Sequence, residues 1–71
     1  MSYPDNEAIM YLYSHPCGSY CELLDHPFML LAQHFTADHT FVSSDEYDTV
    51  PEAQAELKAS GFVFVRSSEM E

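Results

Sequence analysis

From Ala8 onward the chain alternates with a period of two. Within Ala8-Ile9-Met10-Tyr11-Leu12-Tyr13, Ile9, Tyr11 and Tyr13 fall on one face of a strand, and Met10 and Leu12 on the other. His15-Pro16-Cys17-Gly18 carries turn residues. Ser19 to Leu24 then alternates again, with Tyr20, Glu22 and Leu24 opposite Cys21 and Leu23. The pattern predicts an antiparallel hairpin that places tyrosines from both strands on one face, so that Tyr11, Tyr13 and Tyr20 form an apolar contact patch.

The period then changes. Asp25-His26-Pro27 has the form of a helix start, with Asp25 as N-cap and Pro27 in the first turn. Phe28, Leu31 and Phe35 recur at helical spacing, which favours a short helix over 27–35. Phe28-Met29-Leu30-Leu31-Ala32 also fits a buried strand, and periodicity does not separate the two. Thr36 to His39 is a loop and Thr40 to Ser43 has strand composition. A second helix is better marked. Thr49 can cap it with Glu52 as reciprocal partner, Pro51 sits in its first turn, and Gly61 ends it. Val50, Ala53 and Leu57 share one face of this helix, and Glu52 and Glu56 another. Phe62-Val63-Phe64-Val65 reads as a final strand.

Residues 1–6 and 67–71 are polar and are expected to be flexible tails. Pro27 and Pro51 each stand sixteen residues before a serine pair, a weak hint that the two halves share a geometry. The predicted order is β-β-(α)-β-α-β. It implies an α+β domain with a mostly antiparallel sheet and one or two short helices on one face.

Composition adds a size limit and a charge. A chain of 71 residues forms one domain and buries only about 60% of its unfolded surface. An apolar fraction of 46% still supports a core. Net charge is −10, and Lys58 is the first basic residue, so residues 1–57 hold ten acids and neither Lys nor Arg. Such a surface repels phosphates and anionic membranes and suits a basic protein partner rather than nucleic acid. No apolar run reaches the roughly 18 residues of a membrane span, and the N-terminus has no basic leader. The expected compartment is the cytoplasm, where two cysteines remain thiols.

The densest charge lies in Asp45-Glu46-Tyr47-Asp48-Thr49-Val50-Pro51-Glu52, where four acids fall in eight residues. With Glu56 they form an ordered acidic array, and Tyr47 is an aromatic anchor within it. Glu22, Asp25 and Asp38 extend the array if the fold brings them near.

Other chemistry is thin. His15, Cys17, Cys21 and His26 are the one metal-like set, but the spacing between the cysteines is not that of a zinc knuckle. No nucleophile elbow, calcium loop or redox pair is present, so neither catalysis nor a cofactor is expected.

In size, acidity and α+β pattern the chain resembles small inhibitor proteins encoded by bacteriophages, among them anti-CRISPR proteins and other DNA mimics. The resemblance rests on the absence of Lys and Arg from residues 1–57 and on the acidic run Asp45 to Glu56. It implies a host-cell cytoplasmic protein that occupies the nucleic-acid channel of a target such as a CRISPR effector complex. These inhibitors share no common motif. The reading from a different class is an interaction module or homodimer that uses the tyrosine face or the Phe62–Val65 edge.

Overall fold

A computed structural model describes residues 8–70. Four strands follow one another: β1 (Ala8–Ser14), β2 (Tyr20–Asp25), β3 (Leu30–Phe35) and β4 (Phe41–Tyr47). Helix α1 (Val50–Ala59) and strand β5 (Val63–Met70) complete the chain. The sheet order is β4-β3-β2-β1-β5 and every ladder is antiparallel. The first four strands form a meander. α1 then crosses the sheet from the β4 edge and delivers β5 to the far edge, beside β1.

The structure is the expected mostly antiparallel α+β domain, with three corrections. Residues 30–35 are a strand, not a helix. Asp25-His26-Pro27 does not cap a helix; Asp25 ends β2, and the His26 N–H donates to the Met29 carbonyl at 2.9 Å to close a tight turn. Phe28 projects from that turn at 87% exposure, while Leu30 and Ala32 alternate inward along β3. The apolar residues that mimic a helical stripe are thus divided between a turn and both faces of a strand. Second, Ser67 to Met70 belong to β5 and pair with β1, so the polar C-terminal stretch is an edge strand. The expected N-terminal tail lies outside the described residues. Third, Pro27 precedes a strand and Pro51 lies in α1, so the two halves do not share a geometry.

Two loops at one end of the sheet have the same construction. His15 N–H donates to Ser19 O (2.9 Å) and Gly18 N–H to His15 O (2.8 Å). Likewise Thr36 N–H donates to Thr40 O (2.9 Å) and His39 N–H to Thr36 O (3.0 Å). The fourth residue of each loop has positive φ, +102° at Gly18 and 73° at His39, as three-residue hairpin connections require. His39 gives its ring a partner in that conformation: Nδ1 lies 2.8 Å from the Tyr20 hydroxyl.

The core lies between α1 and one sheet face. Tyr13, Cys21, Leu23, Leu30, Ala32, Ala53 and Leu57 form it, with Tyr11, Tyr47, Val50 and Phe62 packed around. Ala32 and Ala53 are both fully buried. Their small side chains let a helix of ten residues lie close to the strands, which matters when only Ala53 and Leu57 anchor it. The cap forms as expected, with Thr49 Oγ1 accepting from Glu52 N–H at 3.3 Å. The Glu52 carboxylate reaches Asp48 N–H at 3.4 Å, one residue beyond the usual reciprocal bond. Gly61, with φ +94°, turns the chain from α1 into β5.

Candidate functional site

The acidic array collects along one edge of the sheet. β4 is that edge, and Asp45 and Glu46 lie at its C-terminal end, both exposed. Strand alternation sends Asp45 to the helix-covered side and Glu46 to the opposite side. Asp48 is exposed at the entry to α1, and Glu52 and Glu56 are exposed along the helix. Asp45, Asp48, Glu52 and Glu56 therefore follow one path from strand to helix, and Glu46 projects from the same edge on the other face. Asp25 joins them, lining a shallow cleft with Pro27, Tyr47, Asp48 and Val50. Asp38 lies in the β3–β4 loop at the other end of the sheet, and Glu22 is on the face away from the helix, so neither extends the array.

The edge has a definite potential. Tyr47 is half-buried in its middle. Burial raises its hydroxyl pKa above the usual value, and Asp45, Glu56 and Glu52 raise it further. His34 Nε2 lies 3.5 Å from Asp45 Oδ2, a contact that is an ion pair only when the imidazole carries a proton. Both full cations are elsewhere. Lys58, in the last turn of α1, lines a hollow with Tyr13, Gly61, Val63 and Phe64. Arg66 is in β5, the opposite edge. Glu52 and Glu56 share one side of α1 and face Tyr47, whereas Lys58, about 200° around the helix from Glu56, faces β5.

The sequence candidates fare unequally. Tyr11, Tyr13 and Tyr20 do not form one patch. Tyr13 opposes Cys21 and Tyr11 opposes Leu23 beneath the helix, whereas Tyr20 opposes Ser14 on the other face. Tyr13 is 5% exposed, and burial raises its pKa. The four metal candidates are also separated. His15 and Cys17 sit in the β1–β2 loop, His26 is in the turn at the opposite end of β2, and Cys21 is sealed in the core. No three His, Cys, Asp or Glu side chains converge among the described residues.

Cys17 differs sharply from Cys21. It is exposed, and its Sγ lies 3.1 Å from Ser19 Oγ. That hydrogen bond, helped by the Ser19 backbone and His15, lowers its pKa to about 7. Burial instead pushes Cys21 up to about 12.

Sequence reasoning missed a group on the face without a helix. Tyr20 stacks on Phe35 (centroids 5.1 Å, 12° between planes), and Phe35 meets Phe41 edge-on at 5.9 Å. The signal was present in the Tyr20, Phe35 and Phe41 spacing, but only with β3 read as a strand.

Compared with protein-family models, with curated proteins and with solved structures, the chain matches none. Among the described residues no helix is long and apolar enough to cross a membrane.

Proposed function

We propose that the protein is a non-enzymatic inhibitor that presents the β4–α1 edge to a basic, nucleic-acid-binding surface of another protein. One observation carries this reading: charge is sorted in space. Asp45, Glu46, Asp48, Glu52 and Glu56 lie exposed along β4 and α1, whereas Lys58 and Arg66 sit towards β5. A groove lined with Lys and Arg to neutralise phosphates offers the complementary field, and a row of carboxylates on a strand and a capped helix enters it in place of a nucleic-acid strand. Glu52 also stabilises its own helix, so the functional weight falls on Asp45, Glu46, Asp48 and Glu56. The resemblance to phage-encoded inhibitors makes the nucleic-acid channel of a CRISPR effector complex the first target to examine.

The test has two arms. Immobilised protein is used to capture partners from a host lysate, which are identified by mass spectrometry, and the complex is then challenged with duplex DNA and with salt. The expected partner binds nucleic acid, and DNA and about 0.5 M NaCl both displace it, since exposed charges are screened beyond about 10 Å at 0.1 M. The Asp45→Lys, Glu46→Lys, Asp48→Lys triple variant should lose binding while keeping its circular dichroism spectrum. Undiminished binding by that variant, or indifference to DNA, would overturn the proposal.

A further inference from the structure

The sheet has two faces and α1 covers only one; on the other, Ala8 at the start of β1 is buried, but the rows beyond it are not. Opposite the helix, the pairing register arranges side chains in three rows that run across the strands. One row reads Ser68, Met10, Leu24, Leu31, Glu46. The next reads Arg66, Leu12, Glu22, Gln33, Ser44. The third reads Val63, Ser14, Tyr20, Phe35, Phe41. None of these side chains that the structure describes is buried, whereas their neighbours under the helix, Cys21, Leu23 and Ala32, are fully so. Met10, Leu12, Tyr20, Glu22, Val65 and Arg66 line one shallow depression on this face. An apolar sheet face of this extent ordinarily has a second layer.

We propose that the second layer is another copy of this chain, packed sheet on sheet about a two-fold axis that runs along the strands between β1 and β2. Such an axis reverses each row but keeps it facing its own counterpart. The two outer rows, rich in apolar residues, then stack on themselves: Met10 meets Leu24 of the second copy, and Val63 meets its Phe35. The middle row is asymmetric in charge, with Arg66 at one end and Glu22 two strands away. Reversal carries the second copy's Arg66 over the region of Glu22 and Gln33, and the reciprocal contact forms on the other side. Sheets pack about 10 Å apart, a gap that an arginine and a glutamate can span together. A two-fold axis across the strands would instead set arginine near arginine and lay the first row on the third.

The overlap involves β5, β1, β2 and β3, roughly 20 Å in each direction from strand rise and spacing. That is about 400 Å² per copy, half of what a standard stable interface occupies, so the dissociation constant should be on the order of 100 µM. The sheet edges are poorer candidates for self-association. Each has a register shift at one point, between Leu12 and Tyr13 against β5 and between His34 and Phe35 against β4, and β4 also carries Asp45 and Glu46. Bulges and charges of this kind block strand addition.

Sedimentation equilibrium of the full chain, at concentrations from about 1 to 500 µM and at about 0.1 and 0.5 M NaCl, tests the proposal. The expected result is a species of twice the 8.1 kDa chain mass, tighter at the higher salt because screening relieves repulsion between two acidic molecules. Arg66→Glu and Glu22→Arg should each weaken the dimer about tenfold, and the two together should restore it. Glu22→Arg makes the chain less acidic, so general charge repulsion alone predicts the opposite effect. A single-chain mass throughout, as when the face is covered by residues 1–7 or by a different partner, would overturn the proposal. So would a double variant no better than either single one.

Discussion

Truncating Leu57 to alanine should cost about 3 kcal/mol of stability. Leu57 is 2% exposed and, with Ala53, is one of two buried residues that hold α1 on the sheet. Removing three buried carbons forfeits about 2.4 kcal/mol of transfer free energy at ~0.8 kcal/mol each, and the unfilled space adds to it. The full range for such changes is about 2–5 kcal/mol; a short helix on the outside of a small domain can settle partly into the gap, which favours the lower half. A domain of 71 residues has a total stability of roughly 4–10 kcal/mol. The change therefore removes a large share and lowers the melting temperature by roughly 12–24 °C.

The contrast is Leu24→Ala, on the uncovered face, where the same atoms are already partly in water. At low micromolar concentration, below dimerisation, it should cost about 1 kcal/mol or less. Urea unfolding followed by far-ultraviolet circular dichroism gives both values, with an unchanged slope showing that the unfolded state is the same. If Leu57→Ala cost no more than Leu24→Ala, the account of the main core cluster lying beneath the helix would be refuted.

Two further predictions concern groups outside the acidic edge. Cys17 should react with iodoacetamide with a midpoint at pH about 7, a midpoint that Ser19→Ala moves upward, while Cys21 stays unreactive until the protein unfolds. Cys21, Tyr13 and Tyr47 all have raised folded-state pKa values, so their stability contribution is complete below their unfolded values and is lost as pH climbs past about 9 for Cys21; urea midpoints at pH 8 and about pH 10.5 should fall in that order. Gly61→Ala should destabilise by about 1–3 kcal/mol in the same assay, because the residue has φ +94° and a Cβ would lie 3.0 Å from the His15 ring; a neutral effect would mean that the turn into β5 rearranges freely.

The elements with local causes were legible in the sequence. The first hairpin follows from strict alternation and a loop with Gly18. The second helix follows from Thr49, Pro51 and Gly61, each of which performs its expected role, and from Glu52, whose carboxylate turns back to Asp48 N–H instead of Thr49 N–H. Where several local rules fit the same residues, the reading failed. Asp25-His26-Pro27 satisfies helix capping and turn chemistry alike, and Phe28, Leu31 and Phe35 match a helical stripe by chance of spacing. What decides for a strand is pairing on both sides: β3 lies between β2 and β4, and its own residues do not encode those two ladders. Arg66 to Met70 looks like a tail because edge strands need no apolar residues on their outer side. The hairpin register, and with it the tyrosine face, depends on how many residues the loop takes up, so one residue of shift moves Tyr20 to the opposite side.

The candidate site shows the same division. Its members, Asp45 to Glu56, could be named from charge density alone, but their isolation from both cations is a property of topology. Lys58 is two residues from Glu56 in the chain, yet the two lie about 200° apart around α1, so one faces Tyr47 and the other faces β5. The uncovered face was invisible at the sequence level because its residues were divided between a tyrosine patch and a helix that do not exist.

The two proposed surfaces make opposite electrostatic demands, and this links them. Binding a basic partner draws on the long-range field of a −10 chain, so it weakens with salt. Self-association must overcome that same field, so it strengthens with salt. The acidic edges lie at the outer margins of a sheet-on-sheet dimer whose overlap is centred between β1 and β2, so self-association leaves Asp45, Asp48, Glu52 and Glu56 exposed on each copy. A dimer would thus present two acidic edges on opposite sides, and its affinity for a partner with two basic sites would gain from the linkage even though each contact is unchanged. Monomeric variants made through Arg66→Glu should then keep the intrinsic affinity for a single basic site and lose only the bivalent gain.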